Sequence, residues 1–319
     1  MRGAFFLTGR GLTVNIIETA REMQEYSESL RLQGKRIAFV PTMGYFHEGH
    51  LDLMRIGRKR GDVLVVSIYV NPTQFGPAED FEQYPRDFER DRKMAESVGV
   101  DVIYAPSHKE MYPEGNSTYV LVGGVTENLC GLSRPNFFRG VATVCTKLFN
   151  IVKPHVTVFG RKDFQQLVTI RRMVEDLNLD IEVVGMPTTR EEDGLAMSSR
   201  NVYLKPEERK SALSLSRSLL LAESLYGAGE RDAQKIEGDV RRFIEGYPFT
   251  KIDYARICDV ATMKNVERIE RESVLALAVW VGKTRLIDNH VLGEEIPIPA
   301  GLKNLSNKNR KGESCREPC

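Results

Sequence analysis

The sequence predicts an α/β protein with a doubly wound parallel sheet, followed by a second, smaller α+β domain. Five apolar runs are continuous rather than alternating, which is typical of strands that are covered on both faces of a parallel sheet. Segments with helical spacing separate these runs, and such alternation predicts a Rossmann-like sheet. After Pro187 the pattern changes to two helical segments followed by three strand-like runs. A chain of 319 residues is long enough for two such domains.

The first predicted domain alternates five strands with four helices. The strands are expected at 36–40, 63–70, 100–104, 156–159 and 181–184, and the helices at 51–60, 88–98, 141–152 and 164–177. In a doubly wound sheet, ligands bind beyond the carboxyl ends of the strands, where the strand order reverses. The polar residues that follow each strand are therefore the first candidates for a site.

The second predicted domain begins with a proline-initiated helix from Pro206 to Gly227 and a helix over 232–245 with an apolar stripe. Strands are expected at 252–257, 274–281 and 284–291, with Gly282 in a hairpin connection. We place the boundary near residue 188, which gives domains 1–188 and 189–292. Residues 1–13 are interpreted as an extension, and the polar stretch 293–319 as a disordered tail.

Composition limits the function classes. The formal net charge is +1, so no global field would hold nucleic acid or an anionic membrane, and any anion must be bound locally. The five cysteines, at 130, 145, 258, 315 and 319, are scattered without CxxC spacing, which argues against a disulfide framework and a structural zinc site. No apolar run is long enough to span a bilayer. We therefore expect a cytoplasmic protein without membrane or nucleic-acid partners.

A stretch rich in histidine and glycine, PTMGYFHEGH, directly follows the first predicted strand. We expect its first residues to form a turn and a helix to begin near Glu48 or Gly49. Glycines such as Gly44 and Gly49 let a backbone approach a ligand, and free N–H groups at a helix start attract phosphate. His47 and His50 are three residues apart on one helix face, where imidazole donors can stabilise charge that develops on a phosphoryl group. The stretch therefore predicts a phosphate site.

Two other interpretations of this histidine pair remain open. A zinc site would need a third suitable ligand, and the other histidines, His108, His155 and His290, have no local ligand partners. A purely structural pair, satisfied inside the turn, is the second alternative. Because polar residues at the carboxyl end of a parallel strand usually face a ligand, phosphate binding is favoured over both.

A second motif, FGRKDFQQ, repeats the arrangement of strand, glycine and polar helix start. Lys162 is a point charge for a phosphate, Asp163 is a candidate helix cap, and Gln166 could hold a hydroxyl or carboxylate. On its own, the motif also fits a solvated turn.

Three weaker signals complete the pattern. DGLAMSSRN places two hydroxyls and Arg200 after a glycine, which suits a loop that closes over an anionic leaving group. In NPTQF, Gln74 is a candidate positioner of a polar substrate, whereas Asn71 is interpreted as the builder of an Asn-Pro turn. Arg134 and Arg139 precede a predicted helix and either join an anion clamp or form surface ion pairs of little energetic value.

Together these motifs resemble a known family. HxGH at a helix start, with a loop bearing Ser and Arg downstream, resembles the HIGH and KMSKS pair of the nucleotidyltransferase and class I aminoacyl-tRNA synthetase superfamily. Seven segments follow one another in the order PTMGYFHEGH, VSIYVNPTQF, YPRDFERD, FRGVATVCTKLFNIVKP, FGRKDFQQL, DGLAMSSRN and TRLIDN. With these segments the chain resembles, more narrowly and from about residue 14 to about 292, the pantoate–β-alanine ligase family.

The resemblance implies a ligation in two steps. Pantoate attacks the α-phosphate of ATP to give pantoyl adenylate and pyrophosphate, and the amine of β-alanine then attacks the acyl carbon and releases AMP. It also implies ATP as a substrate, Mg²⁺ as a cofactor, pantoate and β-alanine as small-molecule partners, and a homodimer. The smaller domain would act as a lid that keeps the reactive adenylate from water.

The resemblance further implies roles for individual residues. His50 takes the family's proton-donor position, Gln74 and Gln166 hold pantoate, and Gln74 also lies where β-alanine arrives. The implied catalytic residues are His47, His50, Lys162, Ser198, Ser199 and Arg200. The implied ATP contacts are Met43, Gly44, Tyr45, Phe46, His47, Glu48, Gly49, His50, Gly160, Arg161, Lys162, Asp163, Thr189, Met197, Ser198, Ser199 and Arg200; no metal ligands are implied.

Two residues depart from the family pattern. Phe137 stands where histidine is frequent, and Arg161 stands where glutamate is frequent, which adds a positive charge beside Lys162. Two alternative functions remain at this point. One is another HxGH nucleotidylyltransferase, which would not need two glutamines aimed at a carboxylate and a hydroxyl. The other is a non-catalytic regulator that binds ATP without turnover.

Overall fold

The described part of the chain forms a parallel and an antiparallel sheet, each with helices packed against it. The structure, a computed structural model, describes residues 14–77 and 79–297. The expected extension over 1–13 lies outside the described residues, and so do residues 298–319 of the tail expected over 293–319. The first five residues of that tail are described: Glu294 pairs with Arg161 and Ile296 is buried in the core of the second sheet, so the packed chain continues past 293. A six-stranded parallel sheet and a three-stranded antiparallel sheet confirm the predicted fold class.

The six-stranded sheet has the order β1-β4-β3-β2-β5-β6, and all its strands run parallel. Its strands are β1 (Asn15–Ile17), β2 (Ile37–Thr42), β3 (Val63–Ile68), β4 (Val102–Tyr104), β5 (Val156–Gly160) and β6 (Glu182–Met186). The helices of this part are α1 (Ala20–Leu32), α2 (Glu48–Arg60), α3 (Phe88–Ser97), α4 (His108–Met111), α5 (Cys130–Ser133), α6 (Phe137–Val152) and α7 (Phe164–Asp176).

Both faces of this sheet are covered, as the continuous apolar runs predict. In β2, Ile37 and Phe39 pack into one apolar cluster, together with residues of α1, α6 and α7. Ala38 and Val40 point to the opposite face and pack with residues of α2 and α3. Because side chains alternate along a strand, each face of β2 contributes to a different core.

The prediction of five strands was wrong, because the sheet has six. The missed strand, β1, spans three residues at the edge of the sheet and buries only Ile17, so it has no apolar run to recognise. Helix α1 was also missed, since its buried positions are Met23, Ser27 and Leu30 and one of these is polar. Helix α6 begins at Phe137 rather than at 141, so Arg139 lies inside its first turn.

The second sheet has the predicted elements. Two helices, α8 (Pro206–Gly227) and α9 (Ala233–Glu245), precede the antiparallel strands β7 (Thr250–Asp259), β8 (Ser273–Val281) and β9 (Thr284–Val291). Gly282, with φ of +58°, lies in the tight β8–β9 connection, where a left-handed conformation favours glycine. Within the described residues, no helix is both long and apolar enough to cross a bilayer.

Strand β8 is buried on both faces and joins the two parts of the chain. Leu275 and Leu277 pack in a core with α8 and α9. Val274 and Ala276, on the other face, pack into the cluster that also covers the six-stranded sheet. The domain boundary near residue 188 stays a prediction, since the two parts share this apolar contact.

The strand order reverses between β2 and β5, which are neighbours in the sheet although β3 and β4 lie between them in sequence. The helices that follow β2 and β5 pack on opposite faces of the sheet. A crevice therefore opens beyond the carboxyl ends of these two strands. The turn that begins the histidine motif and the turn that carries Lys162 lie side by side at this crevice.

A buried ion pair fixes the segment after β6 to the second sheet. Arg190 donates through Nη1 and Nη2 to Asp288 of β9, at 2.6 and 3.0 Å, and the two side chains are only 2% and 1% exposed. Removal of one member of a buried pair leaves an uncompensated charge, which is strongly destabilising.

We expect Arg190→Met to lower the free energy of unfolding by about 3–5 kcal/mol, because Asp288 would remain buried without its cation. Chemical denaturation followed by circular dichroism measures this. Arg21→Met is the matched control, since Arg21 and Glu25 form a pair whose side chains are 89% and 64% exposed. Equal stabilities of the two variants would contradict the prediction.

Candidate active site

A cavity of about 1210 Å³ lies beyond the carboxyl ends of β2 and β5. It brings together residues from all four polar motifs, although these extend from Met43 to Arg200 in the chain. The predicted site residues that line it are Met43, His47, Gly49, His50, Gln74, Gly160, Lys162, Asp163, Gln166, Thr189, Met197, Ser198, Ser199 and Arg200. Five predicted ATP contacts do not line it, namely Gly44, Tyr45, Phe46, Glu48 and Arg161.

A buried carboxylate shapes the turn that precedes the histidines. Gly44 and Tyr45 have φ of +83° and +51°, and Asp91 of α3 accepts hydrogen bonds from the N–H groups of Tyr45 and Phe46, both at 2.6 Å. A Cβ at Gly44 would lie 2.9 Å from the Asp91 carboxylate, so this position requires glycine. Phe46 is fully buried beneath the motif and its ring lies 5.6 Å from that of His50. Three of the five residues that do not line the cavity, Gly44, Tyr45 and Phe46, thus form and support this turn.

The two histidine rings are nearly stacked, with centroids 4.0 Å apart and an interplanar angle of 32°. The backbone N–H of His47 donates to Nδ1 of His50 at 3.3 Å. Because Nδ1 accepts a hydrogen bond, neutral His50 carries its proton on Nε2, which is available as a donor. Gly49 permits this packing, since a Cβ there would lie 3.0 Å from the His47 ring.

Both histidines are neutral near pH 7. Burial, followed by the positive charge of Lys162, lowers the pKa of His47 to about 4. Burial, with smaller effects of His47 and Lys162, holds the pKa of His50 well below the usual histidine value. The site therefore offers imidazole N–H donors rather than imidazolium charges, and the positive charge beside them belongs to Lys162.

Lys162 lies in a 3₁₀ turn, Arg161–Asp163, between β5 and α7. Its ammonium is 3.9 Å from the Asp163 carboxylate. The prediction that Asp163 caps α7 was wrong: it occupies the N-cap position without a capping hydrogen bond, because its carboxylate lies towards Lys162. A Cβ at Gly160 would meet no atom within 4 Å, so nothing in the protein fills that space and a ligand could. Arg161 pairs with Glu294 at 2.9 Å.

The interpretation of Asn71 as only a turn builder was incomplete. Its side-chain carbonyl does accept from Thr73 N–H, at 3.3 Å, in the 3₁₀ turn Pro72–Gln74. Its amide, however, also donates to Oε1 of Gln74 at 3.0 Å and to the carbonyl of Gly140 at 3.2 Å. With Asn71 only 1% exposed, these contacts fix the Gln74 amide at the cavity wall.

The adjacent glutamines of FGRKDFQQ have different environments. Gln165 is buried and donates to the carbonyls of Val125 and Asn128, while its own carbonyl accepts from Cys130 N–H. Gln166 lines the cavity. Helix geometry points successive side chains in different directions, so one glutamine secures a loop and the other is available to a ligand.

Two arginines at the cavity are held by carboxylates that sequence analysis did not single out. Arg200 donates to both oxygens of Asp80, at 3.0 and 2.8 Å, and its own N–H is capped by Ser198 Oγ. Arg134 pairs with both oxygens of Glu79. No local pattern could have revealed these partners, since 120 residues separate Asp80 from Arg200.

The alternative of a metal site finds no support in this geometry. Within residues 14–77 and 79–297, no group of three or more His, Cys, Asp or Glu side chains could hold a metal ion. The other three histidines have partners elsewhere. His108 is hydrogen-bonded to the Tyr69 hydroxyl, His155 accepts a hydrogen bond from Ile37 N–H, and His290 pairs with Glu223. In this part of the chain the three histidines thus lie apart from the pair at the cavity.

Comparison with known proteins gives a consistent result. The family model described as pantoate-beta-alanine ligase matches residues 15–291. The chain is 69% identical to the pantothenate synthetase of Syntrophus aciditrophicus over 285 residues, which is 89% of this chain and all of that protein. It is 58% identical to the pantothenate synthetase of Thermotoga petrophila over 280 residues, 88% of this chain and all of that protein.

Solved structures of similar proteins have the same fold. The crystal structure of pantothenate synthetase from Thermus thermophilus superposes with a TM-score of 0.82 at 42% identity, covering 87% of this chain and 99% of that one. The pantoate-beta-alanine ligase from Francisella tularensis, complexed with beta-gamma ATP and beta-alanine, superposes with a TM-score of 0.72 at 30% identity. The superposition covers 88% of this chain and 98% of that one.

The pKa of His47 predicts how stability depends on pH. An unfolded histidine titrates near pH 6.5, whereas folded His47 titrates near 4, so between these values the unfolded state binds more protons. We expect the free energy of unfolding to fall as pH drops from 6.5 to 4, with a shallower slope in the His47→Gln, His50→Gln double variant. Urea denaturation at a series of pH values measures it.

Proton NMR supplies an independent check of the same assignment, with the two single variants identifying the ring signals. We expect the C2 proton of His47 to keep its neutral chemical shift down to about pH 5. A midpoint near 6.5 for either ring would refute the assignment.

Proposed function

The chain belongs to the pantoate–β-alanine ligase family, and from this premise we propose how its cavity performs the reaction of that family. The protein is an ATP-dependent enzyme that joins pantoate to β-alanine and forms pantothenate. The observation that carries the proposal is the convergence of two neutral histidine donors and Lys162 at the crevice between β2 and β5.

In the first step, a pantoate carboxylate oxygen forms a bond to the α-phosphorus of ATP, and the bond from that phosphorus to the bridging oxygen breaks. Pyrophosphate leaves and pantoyl adenylate remains. Negative charge accumulates on non-bridging and leaving oxygens, so fixed donors that point to these oxygens stabilise the transition state. We assign this task to His50 Nε2–H, His47, Lys162, and the loop Ser198, Ser199 and Arg200.

The glutamines Gln74 and Gln166 are assigned to pantoate, and Gln74 also to β-alanine. An amide offers both a donor and an acceptor, which matches a substrate with a carboxylate and hydroxyls. In the second step, the β-alanine nitrogen forms the amide bond to the acyl carbon while the bond from that carbon to the AMP oxygen breaks. Asn71 supports the assignment, because it holds the Gln74 amide from a buried position.

ATP is proposed to enter as its Mg²⁺ complex. Mg²⁺ usually takes its ligands from phosphates, waters and one or two carboxylates rather than from an all-protein cage. Asp80 and Asp163 line the cavity and fit this donor set. The metal would supply charge neutralisation for the triphosphate.

The second sheet is proposed to cover the nucleotide and to limit access of water to the adenylate. Trp280, Thr284, Arg285 and Asp288, on β8 and β9, lie along the cavity wall. The domain division near residue 188 belongs to the same proposal. The two family departures have partners within the protein: Arg161 pairs with Glu294, and Phe137, which lines the cavity, stacks 3.8 Å from the Arg134 guanidinium.

The experiment that tests the function measures both half-reactions. The protein is incubated with ATP, Mg²⁺ and pantoate, and pyrophosphate and AMP are followed before and after addition of β-alanine. We expect pantoate-dependent pyrophosphate first, with AMP and pantothenate appearing on β-alanine addition. A folded protein that binds ATP and forms neither product would be a non-catalytic regulator. Pyrophosphate release that requires β-alanine would overturn the adenylate intermediate.

We expect Lys162→Ala and His50→Ala to lower the rate of adenylate formation by on the order of a hundredfold or more, because each removes a donor aimed at developing charge. Single-turnover pyrophosphate release measures this rate. Lys59→Ala is the matched control, since Lys59 is exposed near the opposite end of α2. Turnover at the control's level in either site variant would refute its role.

We also propose that the protein is a cytoplasmic homodimer. Residues 117–121 lie in no helix or strand, and within the described residues Val120 N–H, which donates to Thr143 Oγ1, has the sole hydrogen bond among their backbone N–H groups. Tyr119 and Leu121 in this segment are 53% and 78% exposed. Backbone N–H groups without a partner in the described chain can pair with the same segment of a second copy around a two-fold axis.

Substitution of Leu121 tests this contact. We expect Leu121→Asp to shift the protein from dimer to monomer in size-exclusion chromatography with light scattering, because a charge would enter the apolar contact between copies. Leu32→Asp is the control, since Leu32 is 81% exposed on α1. A monomeric wild type, or a dimeric Leu121→Asp, would count against this interface.

A further inference from the structure

A single amide of the second sheet holds the turn that carries Lys162. Asn289 of β9 donates through Nδ2 to the carbonyls of Arg161 and Lys162, at 2.9 and 2.7 Å. Since both partners are carbonyl oxygens, the side-chain atom that faces them must be the amide nitrogen, whose two hydrogens match two acceptors. Asn289 is 9% exposed, so water has little access to these hydrogen bonds.

The turn needs such a partner because of its position. Arg161–Asp163 is a 3₁₀ turn between the end of β5 and the start of α7, and its carbonyls are not part of the sheet ladder. A buried carbonyl without a donor costs free energy, so the amide both satisfies the turn and fixes its orientation. The orientation of this 3₁₀ turn determines the direction of the Lys162 side chain.

The residue before Asn289 holds the second phosphate-binding segment. Asp288 binds Arg190, which also donates to the Gly194 carbonyl, and Met197 N–H donates to the carbonyl of Thr189. These contacts fix the hairpin that leads into Met197 and the residues up to Arg200. The Asp288 carboxylate also accepts from the backbone N–H of Asn289, at 2.9 Å, which links the two anchors.

We propose that Asn289 is a positioning residue for ATP activation, acting through Lys162. This inference rests on the proposed role of Lys162. Two consecutive residues of β9 set the spacing between the two segments that bind the phosphates, so the second sheet contributes to adenylate formation through this strand as well as by covering the site. A displacement of about 1 Å at a reacting group can cost on the order of a hundredfold in rate, so a small movement of the turn is sufficient.

The test replaces the donor without changing the shape of the side chain. In Asn289→Asp, a carboxylate oxygen would face two carbonyl oxygens and repel them. We expect kcat/KM for ATP in adenylate formation to fall by on the order of tenfold to a hundredfold. The KM for β-alanine, measured with the adenylate preformed, should stay within about twofold. Asn289→Ala, which introduces no charge, provides the same test if the aspartate variant does not fold.

A double-mutant cycle separates positioning from general stability. If Asn289 acts through Lys162, the Asn289 substitution should have little further effect on kcat/KM for ATP in the Lys162→Ala background. An equal effect in both backgrounds would overturn the inference. A Lys162→Ala variant as active as wild type would refute the proposed role of Lys162. An impaired Lys162→Ala variant together with a fully active Asn289→Asp variant would refute only the role of Asn289.

Asn128→Asp is the matched control. Asn128 also donates an amide across the contact between the two parts, to the carbonyl of Met263 and to Oδ1 of Asn265, both at 2.8 Å, but it does not line the cavity. We expect it to lose thermal stability to a similar degree and to keep its kcat/KM for ATP. A parallel loss of ATP activation in Asn128→Asp would mean that any weakening of this contact impairs the enzyme, and would contradict a specific role for Asn289.

Discussion

The reversal of strand order between β2 and β5 is the constraint on which the rest of the structure depends. β2 pairs with β3 on one side and with β5 on the other, with Ala38 opposite Val156 and Phe39 opposite Thr157. Helices that leave neighbouring strands towards opposite faces cannot close over the strand ends between them. The crevice therefore lies where two helices begin. The free backbone N–H groups at these helix starts favour an anionic ligand.

The arginines around the opening are held by carboxylates. Arg200, Arg134 and Arg285 each pair with one, respectively Asp80, Glu79 and Asp253. Lys162 lies 3.9 Å from Asp163, a looser contact than those of the arginines. An arginine has five donors, so Arg200 can keep Asp80 and still reach a phosphate. The site thus combines arginines that are held in place, neutral imidazole donors and the less constrained ammonium of Lys162. It can bind a triphosphate without a large rearrangement of its side chains.

The second sheet is tied to the first by contacts of two kinds. Apolar side chains of β8 pack in the core of the six-stranded sheet. This hydrophobic contact stabilises the association of the two sheets but is non-directional. The hydrogen bonds of Asp288 and Asn289 are directional and reach the two segments that flank the proposed phosphate position. The combination explains how a β-meander far along the chain can influence the geometry of a site that is otherwise built on the strands of the first sheet.

The sequence by itself determined the fold class, most of the helices and strands, and the motifs that converge at the cavity. These features depend on local periodicity, on glycine and proline positions, and on the rule that parallel strands present their carboxyl ends at one edge. Strand β1 was missed because it has three residues and buries one of them, and helix α1 was missed because one of its three buried positions is polar. Only the tertiary structure decided which of Gln165 and Gln166 faces the cavity, that Asp91 holds the histidine turn, and that Asn289 holds the lysine turn. These are contacts between residues far apart in the chain, and their partners are chosen by the packing of whole elements, which no local stretch of sequence encodes.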